Sequence, residues 1–307
     1  MDIYLPIAEV SVNWPSLVLL GAVVGFVSGL FGIGGGFLMA PILIFLGIPP
    51  SVAVASQASH VVASSTSGVI SYTSQKAVDY RIGGVMAFGG IIGALLGVEL
   101  FRYLRLLGQA DMVVALSYLL LLGTIGTLML YESLGQILRR VRGEVVPHKE
   151  RRRPLWLYGL PLKMRFPRSG LYISAIPPFA LGILVGVLSA IMGVGGGFIL
   201  VPAMLYVLRM KAGVVVGTSL FQIIIVTAMT TVLQAGRNQT VDIVLSTLLL
   251  VGGVVGAQYG ARLSGRFRPD VLRALLALIV LLVGIQMGLE LFVRPSDLFA
   301  FAPGVPE

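Results

Sequence analysis

The chain contains no cysteine and little charge. With Cys at 0 of 307 residues, disulfides, thiol catalysis and cysteine-ligated metals are excluded, while the redox compartment is left open. Only 11% of residues are charged, where a soluble domain carries about 25%, and the mean hydropathy is +0.97. That deficit argues against a globular enzyme. The deep parts of the apolar blocks hold no Asp or Glu; Glu99, Asp111 and Glu290 lie near block ends. A carboxylate-based proton or sodium site is not evident, and cationic substrates are disfavoured. Zinc-protease, Walker A, nucleophile-elbow and metal-cluster motifs are also missing, so no cofactor or metal is expected and built-in ATP hydrolysis is argued against. Met1–Val12 carries only Asp2 and Glu9 as charges, which disfavours a cleaved signal peptide; the first apolar segment is expected to stay as a span.

What is present is a series of long apolar blocks. Eight can be drawn, at 15–46, 52–74, 82–101, 112–131, 171–208, 212–235, 243–261 and 271–293. Each exceeds the spanning length of about 18 residues. The formal charge of +9 is concentrated: ten of 22 basic residues lie in 139–168. A basic loop between apolar blocks reads as a cytoplasmic segment under the positive-inside rule, not as a nucleic-acid surface. The chain therefore divides into a first transmembrane repeat at 15–131, a basic cytoplasmic linker at 132–170 and a second repeat at 171–293. Arg102 and Arg105 after the third block, and Arg262, Arg266 and Arg268 after the seventh, also read as cytoplasmic by charge. Single crossings do not satisfy these loops and the linker together, which leaves the crossing count per half, and parallel or inverted repeats, open.

The two halves repeat one motif. Residues 25–41 read GFVSGLFGIGGGFLMAP and residues 186–202 read GVLSAIMGVGGGFILVP, 161 positions later. Further elements recur in order: Ser56 opposite Thr218, His60 opposite Gln222, Asp79 opposite Asp242, and GGIIGALLG at 89–97 opposite GGVVGAQYG at 252–260. This pattern predicts an internal duplication. The blocks holding the motif, 15–46 and 171–208, would make helices of about 48 and 57 Å against a hydrocarbon core of about 30 Å. Each is expected to break at its glycines into two shorter helices or a re-entrant pair, giving an all-α polytopic fold of about 8–10 helical segments. Pro41 and Pro202 are expected in the first turn of the second half-helix or at a kink within it.

A helix that restarts after such a break presents free N–H groups and a positive dipole end, which suits an anion without a basic side chain. The binding candidates are accordingly Gly32, Gly34, Gly35, Gly36 and Phe37 in the first half and Gly193, Gly195, Gly196, Gly197 and Phe198 in the second. Small residues also serve tight helix packing, and the two roles are compatible. The second block adds a polar stripe at Ser56, Ser59/His60, Ser64, Ser67 and Ser71, spaced as one helical face. Ser56, Gln57, Thr218, Ser219 and Gln222, nearest the motif, join the candidates. His60 is the one ionisable group well inside its block, a site for anion donation or a proton relay, or a packed neutral side chain.

On the duplicated GxGGGFxxxP (Gly34–Pro41 preceded by Gly32, Gly195–Pro202 preceded by Gly193), the VGTSL element at 216–220 and the glycine-rich third and seventh blocks, the chain resembles the sulfite exporter TauE/SafE family, also called the 4-toluene sulfonate uptake permease family. The likeness covers roughly 17–292. It departs at Ala55-Ser56-Gln57, where the second half reads Gly217-Thr218-Ser219, and in the long basic linker. The resemblance implies a multi-pass inner-membrane permease for sulfite, thiosulfate, sulfonates or related anions, without enzymatic activity. The expected partners are a small anion and membrane lipids, with proton coupling open and no nucleic acid, in a monomer or homodimer. A channel-like facilitator is the alternative, with a membrane scaffold or an intramembrane enzyme behind it.

Overall fold

The computed structural model describes residues 2–31, 34–74, 76–141, 161–264 and 269–292. Ten α-helices and two β-hairpins lie among them, in two successive sets of like order. The first set is β1 (Asp2–Leu5), β2 (Val10–Asn13), α1 (Trp14–Phe31), α2 (Gly36–Phe45), α3 (Pro50–Ser74), α4 (Tyr80–Leu106) and α5 (Ala110–Val141). The second is β3 (Lys163–Phe166), β4 (Leu171–Ser174), α6 (Ile176–Met192), α7 (Gly197–Tyr206), α8 (Ala212–Leu233), α9 (Ile243–Ser264) and α10 (Pro269–Phe292), with a π-helical turn at Gln234–Asn238 after α8. Five helical stretches are long and apolar enough to cross a membrane, at Trp14–Phe31, Tyr80–Leu106, Ala110–Tyr131, Gly213–Asn238 and Ile243–Gly260. The architecture is that of an all-α polytopic membrane protein.

Helices of one set pack mainly on helices of the other. α1 runs parallel to α9, and α4 parallel to α6. Both crossings are made of glycine on backbone. A Cβ on Gly25 would lie 2.3 Å from the Gly253 carbonyl oxygen, and one on Gly93 would lie 2.1 Å from that of Ile183. The repeated glycine blocks at 89–97 and 252–260 thus serve helix approach, as small residues do in membrane interfaces. The third helices, α3 and α8, cross antiparallel at the centre, where Val61, Leu220 and Ile223 form a small buried cluster. The fifth helices, α5 and α10, also pair antiparallel, Gly126 against Val280 and Gly288 against Leu119.

Chain direction follows from these pairings. The start of α3 lies beside the starts of α5 and α9: Ser51 N–H donates to the Asp111 carboxylate at 3.0 Å, and Asp242 N–H to Ser56 Oγ at 2.9 Å. Since α1 is parallel to α9, α1 enters from that same end and α2 returns to it before α3 begins. α6 and α7 form the matching helix pair from the opposite end, where the β3–β4 hairpin packs on Leu208, Met210 and Val215. Each set then adds three long helices, α3–α5 and α8–α10, that run from one end of the bundle to the other. An odd count per set makes the two sets run in opposite directions. Arg102 and Arg105 at the end of α4 therefore lie at the opposite end of the bundle from Arg262 near the end of α9. This corrects the expectation that both loops share one side. Arg266 and Arg268 lie outside the described residues.

The hairpins were not foreseen. Their four-residue strands are too short for a periodic signal, yet each pairs in register, Leu5 with Val10 and Phe166 with Leu171, and buries Leu5 or Phe166. Each hairpin caps a helix of the other set. The Asp79 carboxylate accepts Arg81 N–H at the start of α4 and, on its other oxygen, Ser169 N–H and Oγ at 2.9 and 2.6 Å. The Asp242 carboxylate accepts Val244 and Leu245 N–H at the start of α9, and Ile7 N–H at 3.0 Å. Both aspartates are buried, so these bonds satisfy charges that would otherwise be costly. Within the stretch read as a linker, α5 extends to Val141 and strand β3 occupies Lys163–Phe166, while β4 opens the stretch read as the second repeat. Residues 142–160 lie outside the described residues.

Candidate functional site

The starts of α2 and α7 meet near the middle of the bundle. Gly35 precedes α2 with φ +68°, and Gly196 precedes α7 with φ +72°. An L side chain rarely adopts this conformation. Space forbids one too: a Cβ on Gly35 would sit 2.6 Å from Ser28 Cβ, and one on Gly196 2.2 Å from Val185 Cγ1. The two breaks touch. A Cβ on Gly36 would lie 2.9 Å from Val194 Cα, and the Phe37 and Phe198 rings stand 5.9 Å apart. Pro41 and Pro202 sit inside α2 and α7, beyond the first turn, where each removes the N–H that would serve the Phe37 or Phe198 carbonyl. Gly32 lies outside the described residues.

The structure distributes the other sequence candidates in three ways. Ser56 and Thr218 work at the helix ends. Ser56 Oγ accepts Asp242 N–H, and Thr218 Oγ1 accepts Asp79 N–H at 2.9 Å, so both hydroxyls join the hairpin latches. Ser219 Oγ donates back to the Val216 carbonyl of its own helix. Gln57 lies at the second break: its amide nitrogen donates to the Met192 carbonyl at 2.9 Å and to Tyr118 Oη at 3.0 Å, and Tyr118 Oη donates to the same carbonyl. A Cβ on Gly193 would lie 2.9 Å from that nitrogen. His60 packs on Gly253 at the α1–α9 crossing, and Gln222 lies against the equivalent Gly90 at the α4–α6 crossing.

Two residues that the polar stripe passed over stand at the breaks. A Cβ on Gly34 would lie 3.3 Å from Ser65 Oγ, and one on Gly195 2.8 Å from Thr227 Oγ1. Both side chains are fully buried, and neither hydroxyl has a hydrogen-bond partner. The fully buried Ser189 hydroxyl and the Gln222 amide are likewise unpaired. Buried polar groups in folded proteins are normally satisfied, so a cluster of exceptions needs an explanation. Ile223 touches both breaks, and Val61 lies against Gly36 and Gly195. The site thus joins two helix N-termini to two unused hydroxyls on an apolar floor; at the first of them Gly36 N–H already donates to the Gly34 carbonyl at 2.9 Å and Leu38 N–H to that of Gly35 at 3.3 Å. Asp79 and Asp242 stay at the helix ends, and among the described residues no group of His, Cys, Asp or Glu is placed to hold a metal. Ser65 and Thr227 were legible in one respect: they are 162 apart, the same offset that relates Ser56 to Thr218.

Comparison with known proteins agrees with this architecture. Residues 17–287 match the family described as "Sulfite exporter TauE/SafE". The probable membrane transporter protein YjnA of Bacillus subtilis is 30% identical over 275 residues, covering 89% of this chain and 98% of that protein. A probable membrane transporter protein of Xylella fastidiosa (strain 9a5c) is 30% identical over 272 residues, covering 87% and 92%. The sulfite exporter TauE/SafE family protein 3 of Arabidopsis thaliana is 32% identical over 95 residues, covering 31% of this chain and 20% of that protein. No solved structure matches. Matched over most of its length, the chain belongs to the TauE/SafE family of membrane transporters.

Proposed function

We propose that this protein is a secondary carrier of a small sulfur-containing oxyanion, such as sulfite, thiosulfate or an organosulfonate, held between the two glycine breaks. The observation that carries the reading is the meeting of the α2 and α7 N-termini beside the unpartnered hydroxyls of Ser65 and Thr227. Each helix start carries roughly half a positive charge. Two such ends, with hydroxyl donors and no nearby carboxylate, offset much of the cost of stripping water from a small anion. The neutral donors also leave the anion free to depart, which a lysine or arginine at this depth would oppose. The family's name supports sulfite-like chemistry, and the neutral site supports an anion over a cation.

In this reading the two sets are inverted repeats of one duplicated unit, and access alternates as they rock about the α3–α8 crossing. Sidedness follows charge. Lys76, Arg81, Lys163, Arg165, Arg168, Arg209, Lys211 and Arg262 lie at the β3–β4 end with Asp79, whereas the other end mixes Arg102, Arg105 and Arg237 with Glu9, Glu99, Asp111 and Asp242. The β3–β4 end and the basic linker then face the cytoplasm, in the inner membrane. The chain acts without enzymatic chemistry.

Reconstituted protein should accumulate radiolabelled sulfite or thiosulfate by counterflow against preloaded unlabelled anion. Counterflow requires a carrier; leak without counterflow would favour the channel-like reading, and no flux of any small anion through folded protein would refute transport.

A further inference from the structure

A separate basic cavity opens at the β1–β2 end of the bundle, where α4 and α8 finish. It measures about 320 Å³ and is lined by Arg102, Arg105, Leu106, Arg237 and Asn238. Three guanidinium groups line it, and two of them share one carboxylate. Glu99 pairs with Arg237 and stands 3.7 Å from Arg102, while Arg105 Nη1 donates to the Asn238 carbonyl. The local balance is two positive charges in excess. Guanidinium groups present forked donors that match tetrahedral oxyanions.

The cavity is wired to the interior. Arg237 and Asn238 belong to the π-helical turn, a distortion often found at functional positions. The Asn238 side-chain amide donates to Gln234 Oε1, and Gln234 Nε2 donates to the Ala190 carbonyl at 3.0 Å. Gln234 and Asn238 are buried, and Ala190 lies three residues before Gly193. Three hydrogen bonds, linked covalently through Asn238 and Gln234, therefore lead from Arg105 to the last turn of α6, just ahead of the second break.

We propose that Arg102, Arg105 and Arg237 form a second, peripheral binding site for a tetrahedral oxyanion, and that the Asn238–Gln234–Ala190 chain couples its occupancy to the second glycine break. The proposal stands on this cavity and not on the carrier reading. The same chemistry is offered by free sulfate and by the phosphate of an anionic lipid, and the test separates them.

Sulfate is titrated calorimetrically at low salt into protein held in phosphatidylcholine nanodiscs. In parallel, native mass spectrometry counts the phosphatidylglycerol retained by protein from mixed-lipid nanodiscs. Both are run on the native chain and on Ser65→Ala/Thr227→Val, which removes the central hydroxyls and should leave this site intact. Arg102→Gln/Arg237→Gln should weaken sulfate binding about tenfold or more, or abolish one retained phosphatidylglycerol. Loss in the first arm identifies a soluble oxyanion, and loss in the second a lipid headgroup. Glu99→Gln, which frees both arginines from their shared carboxylate, should tighten the same binding and guards against misfolding of the arginine variant. Arginine and Glu99 variants that leave both arms unchanged overturn the proposal.

Discussion

Ser65 and Thr227 each bring a hydroxyl to the start of a helix, and the fold makes no use of either. Replacing an unpartnered buried hydroxyl by an apolar group of like shape is neutral or stabilising. Ser65→Ala and Thr227→Val should therefore keep or raise the melting temperature while raising KM for the anion about tenfold each, the weight of one hydrogen bond to a charged ligand. Thr218→Val should do the reverse. Its hydroxyl accepts Asp79 N–H, so thermal unfolding should come earlier, by about 1–3 kcal/mol of lost stability, with KM unchanged in the folded fraction. Unchanged KM in both central variants would remove the hydroxyls from the site. The glycines were legible because their type and spacing are unusual in an apolar run. Ser65 was not, because periodicity picks a helical face without saying what that face meets. Ser64, its neighbour in the stripe, donates to the Val61 carbonyl at 3.2 Å and lies 3.5 Å from that of Gly34. Ser56 and Thr218 read as pathway residues from their nearness to the motif in sequence, and tertiary packing carries them to the helix ends.

At the level of elements, two kinds of contact hold the interleaved sets. The α1–α9 and α4–α6 crossings depend on bare backbone. Gly25→Val or Gly93→Val would drive a side chain into a carbonyl oxygen and should cost about 1–3 kcal/mol or more, seen as a lower melting temperature in detergent or a failure to insert. Gly123→Ala, where a Cβ meets nothing inside a helix, is the control that should keep stability or raise it by about 0.5–1 kcal/mol. The second contact is the hairpin latch, in which Asp79 and Asp242 each cap a helix and hold the hairpin of the other set. The helices were legible as blocks because apolar length alone marks them, and the two blocks too long for a single span each hold two helices, which end and restart at Phe31 and Gly36 and at Met192 and Gly197. The pairing of each first helix with the other set's fourth was not legible. The glycine pattern announces a close approach and leaves the partner unnamed. The hairpins stayed hidden because four residues carry too few alternations to separate a strand from an apolar loop.

For the whole molecule, the opposed direction of the two sets is the feature with the widest consequence. It puts the β1–β2 hairpin at one end and the β3–β4 hairpin at the other. The chain lacks cysteine, so single cysteines report sidedness without a background. An impermeant maleimide added to intact cells lacking an outer membrane should label Glu9→Cys and spare Lys163→Cys until the membrane is opened. Labelling of both from outside would contradict the arrangement. Sequence charge alone left this undecided, because Arg102 and Arg105 imitate a cytoplasmic loop at the end that carries few other basic residues. The carrier reading holds an anion between the starts of α2 and α7. It is tested most directly by an experimental density map of the protein in lipid, prepared with and without thiosulfate. The predicted result is ligand density between the starts of α2 and α7, within hydrogen-bonding reach of Ser65 and Thr227, absent from the ligand-free map. A closed junction that packs Phe37, Val61, Val194 and Ile223 identically in both maps, with thiosulfate bound elsewhere or not at all, would contradict it.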